Sequence, residues 1–160
     1  MRYGRVFLVG TGLALAAASP ALARTQTFLS DAIKGDNSEM KLGALAVRQG
    51  GSDAVKHFGT VLERDHGRAK QQAAAVAKAH HVAVPTAMMP EAQAEYAKLK
   101  GMHGAAFDRE FARYMVHDHE KDIADFRKEA QGSDPADVRA LARKTLPTLQ
   151  KHLDTARSLH

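Results

Sequence analysis

Residues 52–81 read SDAVKHFGTVLERDHGRAKQQAAAVAKAHH. Steps of three and four residues from Val55 reach Gly59, Leu62, His66, Ala69, Ala73 and Val76, a helical stripe that is small or apolar except at one histidine. Between these positions lie Lys, Arg, Gln and Glu, which lose little rotamer freedom in a helix. Ser52 is placed to cap the first turn, and the Gly50-Gly51 pair ahead of it ends whatever helix precedes. The stretch is therefore a long amphipathic helix running to about His81.

The flanking sequence repeats this pattern. A first helix is expected over Thr27 to Arg48, joined to the second by a turn short enough to make the two antiparallel neighbours. Val82 to Pro90 carries Pro85 and Pro90 and forms a longer connection, followed by a short helix over Glu91 to Lys100 that Gly101 and Gly104 break. A third long helix is expected over Ala105 to Ala130, ending at Gly132. A fourth follows Asp134-Pro135, with Asp134 as cap and Pro135 as the first helical residue. Strand-like alternation of Val, Ile and Thr is missing, so the fold class is all-α: four long helices, with an extra short helix in the connection between helices 2 and 3. Pro147 falls inside the last helix and is expected to loosen or kink it.

The first residues have the layout of an export signal. Arg2 and Arg5 supply positive charge, Val6 to Ala18 an apolar stretch and Ala21-Leu22-Ala23 a small-residue cleavage site, giving a leader over 1–23 and one domain over 24–160. The apolar stretch is short for a membrane span, and no later segment is apolar for longer. Loss of Arg2 and Arg5 lowers the formal charge from +5 to +3. Lys56, Arg64, Arg68, Lys70 and Lys78 alternate with acids and alanines, the pattern of a solvated helix face, which argues against nucleic acid as a partner. The chain contains no cysteine, which excludes disulfides, thiolate ligands and cysteine nucleophiles.

The same stepping on each long helix meets one side chain that does not belong in an apolar seam. The first helix gives Phe28, Ala32, Gly35, Glu39, Leu42 and Ala46; the third gives Phe111, Met115, His119, Asp122 and Phe126; the fourth gives Val138, Ala142, Thr145, Leu149, His152, Ala156 and Leu159. Glu39, His66, His119 and His152 are thus four metal-competent groups on four helices, where a bundle can assemble a metal site from facing side chains. Asp65 stands at the edge of the second seam. Counting from the turn, Glu39 and His66 are out of level by roughly one helical turn at 1.5 Å per residue. Imidazoles with a carboxylate suit zinc, iron, copper or manganese. Glu63 and His66 make the one clear Glu-x-x-His; Leu149 occupies the corresponding place before His152, so a mononuclear site is expected over a di-iron centre.

His57, His80, His81, His103 and His117 read as surface or helix-end residues, and His160 is terminal. Met88 and Met89 pair in the proline connection, where packing is the expected role ahead of copper(I) binding. No phosphate loop, nucleophile elbow or serine triad appears, and nothing indicates a nucleotide or organic cofactor.

The order Glu39, Asp65-His66, Phe107-Asp108, His119, Leu146-Pro147 and His152, with Phe58, Pro85, Gly104 and the stretch from Phe107 to Phe111, resembles the bacterial domain-of-unknown-function family 4142. The resemblance spans essentially the whole mature chain. It implies an exported, ferritin-like four-helix bundle of a family that often carries an outer-membrane label. It also marks Asp65 and Asp108 as acidic landmarks that would support or replace a ligand. The expected compartment is the periplasm, with outer-membrane association as the alternative, because the chain has no amphipathic strands for a barrel. Two functions are expected to compete: a bundle that binds a transition metal in its core for buffering or redox chemistry, and a non-catalytic envelope module with a buried polar network and an unknown envelope partner.

Overall fold

The computed structural model describes residues 20–159. Arg2, Arg5 and the apolar stretch of the expected leader lie outside the described residues. The chain is a helical bundle of α1 (Pro20–Gln49), α2 (Asp53–Ala79), α3 (Pro90–Leu99), α4 (Gly104–Gln131) and α5 (Ala136–Arg157), with no strand among the described residues. No helix among them is long and apolar enough to cross a membrane. Most boundaries fall within two residues of expectation. The exception is α1, which starts at Pro20 rather than near Thr27, because Pro20 suits a first helical position and Ala21 to Ala23 are good helix formers. A smaller correction concerns α5, whose N-cap is Pro135 with Ala136 as the first helical residue.

The α1–α2 hairpin is held at its turn and along its length. Ser52 Oγ accepts from Val55 N at 3.2 Å, the cap read from sequence. Asp108, in the first turns of α4, accepts from Gly51 N and Ser52 N, both at 2.8 Å, and so fastens this turn to the second hairpin. Gly104 adopts φ +59°, a left-handed conformation that costs a glycine little. Farther along, Gly43 and Gly59 bring the two backbones together: a Cβ on Gly59 would stand 2.5 Å from the Gly43 carbonyl oxygen.

Three apolar clusters are buried among the described residues, the smallest of them Ile123, Leu149 and Leu153. At the turn end, Leu42, Leu45, Phe58, Leu62, Phe107, Phe111 and Met115 pack with Met88 and Leu99. At the other end Leu29, Ile33, Ala73, Ala77, Val82 and Val138 form a second cluster. On each long helix the polar position lies between apolar ones: Glu39 between Ile33 and Leu42, His66 between Leu62 and Ala73, His119 between Met115 and Ile123, His152 between Leu149 and Ala156. The connection that carries Pro85 is tied to α1 by Asn37, whose Nδ2 donates to the carbonyls of Pro85 and Ala87, and by Ser38, whose Oγ accepts from Met89 N. Met88 is buried in the first cluster, as the packing reading requires. The helix runs unbroken through Pro147, which is exposed.

Candidate metal centre

His66, His119 and His152 are brought together in the middle of the bundle. Ring centroids lie 6.0 Å apart for His66 and His119, 5.2 Å for His66 and His152, and 5.4 Å for His119 and His152, and no pair is stacked. One ring nitrogen of each falls within 4.8 Å of those of the other two. Tetrahedral ligation at ~2.0–2.1 Å per bond sets donors about 3.3 Å apart, so an ion would draw the rings in by up to roughly 1.5 Å.

Each imidazole is held by its outward nitrogen. His66 Nδ1 lies 2.9 Å from Asp36 Oδ1, His119 Nδ1 lies 2.9 Å from the Met115 carbonyl, and His152 Nε2 lies 3.1 Å from Asp65 Oδ2. The Met115 carbonyl only accepts, so His119 carries its proton on Nδ1. Asp65 is ionised, held down to about 2 chiefly by its hydrogen bond from the Arg64 guanidinium, so His152 carries its proton on Nε2. Asp36 is raised by burial, with Lys70 opposing; the His66–Asp36 pair shares a proton that a cation at His66 Nε2 would place on Nδ1. Burial lowers all three histidines, His66 and His152 to about 4 and His119 to about 3, so they are neutral at pH 7.

The inward nitrogens, His66 Nε2, His119 Nε2 and His152 Nδ1, are buried and have no hydrogen-bond partner in the protein. Both carboxylate oxygens of Glu39, which is 1% exposed, are in the same condition. A native core normally pairs such groups, and each one left bare costs about 1–3 kcal/mol. Glu39 does not close the histidine triad; it forms a second group with Asp118 and His119, whose ligand atoms also lie within 4.8 Å of one another. Burial raises Glu39 well above the usual carboxylate range, and Asp118 raises it further. Tyr114 donates to Asp118 Oδ1 at 3.2 Å.

The other expected residues are placed as follows. Asp65 supports His152 from outside, which makes His66 the inward member of the Asp65-His66 pair. Asp108 stands apart from the cluster, with both oxygens engaged at the α1–α2 turn. Glu63 belongs to neither candidate group. His57, His81, His103 and His117 are exposed; His80 is half-buried and bonds Asp137 on α5 at 2.8 Å; His160 lies outside the described residues. Asp36 was missed by the sequence reading, which followed Gly35 on that row of α1. A cavity of about 610 Å³ opens between α1 and α4 and reaches Asp36, His66, Asp118 and Asp122.

A solved structure shares the fold. Over 90% of this chain and 97% of its own, a structure described as the crystal structure of a DUF305 fragment from Deinococcus radiodurans superposes with a TM-score of 0.75 at 17% sequence identity. No curated protein sequence matches the chain significantly. The family model of DUF4142, a domain of unknown function, matches residues 11–159, and the chain belongs to that family.

Proposed function

We propose that this protein binds one transition-metal ion in the core of a ferritin-like bundle, through His66, His119 and His152, and that it buffers that metal in the cell envelope. The observation that carries the reading is the state of the three imidazoles: each outward nitrogen is anchored by an oxygen, and each inward nitrogen is buried and unpaired. Metal-binding histidines are oriented in this way by carboxylates and carbonyls behind them. Three neutral imidazoles favour copper(II) and zinc in intrinsic affinity over iron and manganese. An envelope location is part of the proposal and rests on Arg2, Arg5 and the apolar stretch that follows.

A purely structural polar network, as in an interaction module, would be expected to satisfy its own members. Here the three inward ring nitrogens find no partner in the protein. The deciding experiment is a competition titration of untagged full-length protein against a chromophoric chelator, with zinc and with copper(II). One tightly bound equivalent that is lost in folded His66→Ala and His119→Ala variants is the expected result. No uptake of either metal by the folded wild type overturns the reading.

A further inference from the structure

His119 belongs to both candidate groups but has a single nitrogen to give, because Nδ1 is committed to the Met115 carbonyl. One ion therefore cannot take His119 with the histidines while another takes it with Glu39 and Asp118. Each group meets the groove at one member, His66 in the first and Asp118 in the second. The groove between α1 and α4 reaches Asp118, Asp122, Asp36 and His66, whereas His119 and His152 do not line it. Opposite Asp122 stands Gly35, where a Cβ would lie 4.0 Å from Asp122 Oδ2 and meet nothing closer, so at that position α1 presents no side chain to the groove. Asp36, Asp118 and Asp122 line the groove beside His66, and Glu39, His119 and His152 lie behind it. Behind Asp118 lies Glu39, almost fully buried, with both oxygens unpartnered and in ligand range of Asp118 and His119.

We infer that Glu39 and Asp118 form a landing site for a hydrated divalent cation that enters through the α1–α4 groove, and that His119 is the common ligand through which the ion passes to the three-histidine centre. The inference rests on the histidine reading for its destination. Carboxylates exchange with the waters of a hydrated cation more readily than a set of buried imidazoles does. Transfer is ligand exchange alone: Glu39 and Asp118 oxygens are replaced by His66 and His152 nitrogens while His119 stays bound, with no change of oxidation state.

The test is rapid mixing of metal-free full-length protein with cobalt(II), followed by its visible absorption. Glu39→Gln and Asp118→Asn each replace a carboxylate ligand by an amide at nearly constant volume, and Gly35→Leu narrows the groove without touching a ligand. Both carboxylate variants are expected to reach the wild-type final spectrum and stoichiometry at least tenfold more slowly, and Gly35→Leu to slow loading likewise. A His66→Ala, His152→Ala double variant is expected to keep weak cobalt binding that the addition of Glu39→Gln abolishes. Carboxylate variants that load at the wild-type rate overturn the landing site, even if Gly35→Leu is slow. Wild type that binds cobalt in a Glu39-dependent manner but never gives a spectrum dependent on His66 and His152 overturns the histidine centre and leaves the landing site standing. Wild type that binds no cobalt overturns both.

Discussion

Asp36 on α1 and His66 on α2 meet at 2.9 Å across the hairpin, both buried, Asp36 fourteen residues before Gly50 and His66 fourteen after Ser52. Equal distance from a tight turn puts them at one level of two antiparallel helices. The bond orients the imidazole and leaves Nε2 facing His119 and His152. Replacing Asp36 by Asn keeps the volume but removes the charge that favours a metal-bearing His66. The Asp36→Asn variant is expected to keep a stoichiometry of one and to lose about 10- to 100-fold in affinity, measured by chelator competition. Unchanged affinity would mean that Asp36 serves folding alone.

That pair also explains what was legible in the sequence and what was not. The stepping that found His66, His119 and His152 needs only the helical period, and all three rings face one another. The level mismatch between Glu39 and His66 was already visible; the structure resolves it by giving His66 to Asp36 and Glu39 to His119 and Asp118. Asp36 escaped because the buried face of α1 is broad: Leu29, Ile33 and Asp36 are buried, while Phe28, Ala32 and Gly35 are only partly so. A narrow stripe catches Glu39, Leu42 and Ala46, which are buried, and passes beside Asp36. The role of Asp108 had no local signal, because its partners Gly51 and Ser52 come from another hairpin. The start of α1 was set too late because a leader and a helix draw on the same Ala and Leu residues.

Asp108 offers a test that separates the turn from the metal site. Its two oxygens receive two backbone N–H groups, and hydrogen bonds to a charged group exceed neutral ones in strength. The site is partly exposed, so the Asp108→Ala variant is expected to lose roughly 1–3 kcal/mol in urea denaturation. Its metal stoichiometry and affinity in the folded state should equal wild type. A large affinity loss with unchanged stability would reverse this assignment.

The Gly43–Gly59 approach makes a steric prediction. A methyl at residue 59 would stand 2.5 Å from the Gly43 carbonyl oxygen and 3.0 Å from Ala46 Cβ, and the obstructing atom is backbone, which cannot rotate away. Gly59→Ala should therefore push α1 and α2 apart and destabilise the protein by about 1–3 kcal/mol, despite the better helix propensity of Ala. Gly35→Ala, with only Asp122 Oδ2 at 4.0 Å, is the control and should be neutral or mildly stabilising. Thermal unfolding of the two variants beside wild type gives the comparison.

Burial of neutral imidazoles gives the metal-free protein a pH signature with a definite sign. His119 is lowered to about 3 in the folded chain, mainly by burial and then by His66, against about 6.5 when unfolded. Between these values the unfolded chain holds a proton that the folded chain does not, so stability falls as pH is lowered through that window and is fully present above it. The buried carboxylates Glu39 and Asp122, raised by burial, act in the opposite sense, which makes the absolute curve a poor probe. The difference between wild type and His119→Leu cancels most of their effect. From pH 6.5 down to 4.5, in the presence of chelator, wild type should lose stability relative to the variant by on the order of 1 kcal/mol per pH unit. Urea midpoints measured at several pH values check this. A difference that stays flat across the window would mean that His119 is protonated inside the fold, which is incompatible with a metal-ready nitrogen.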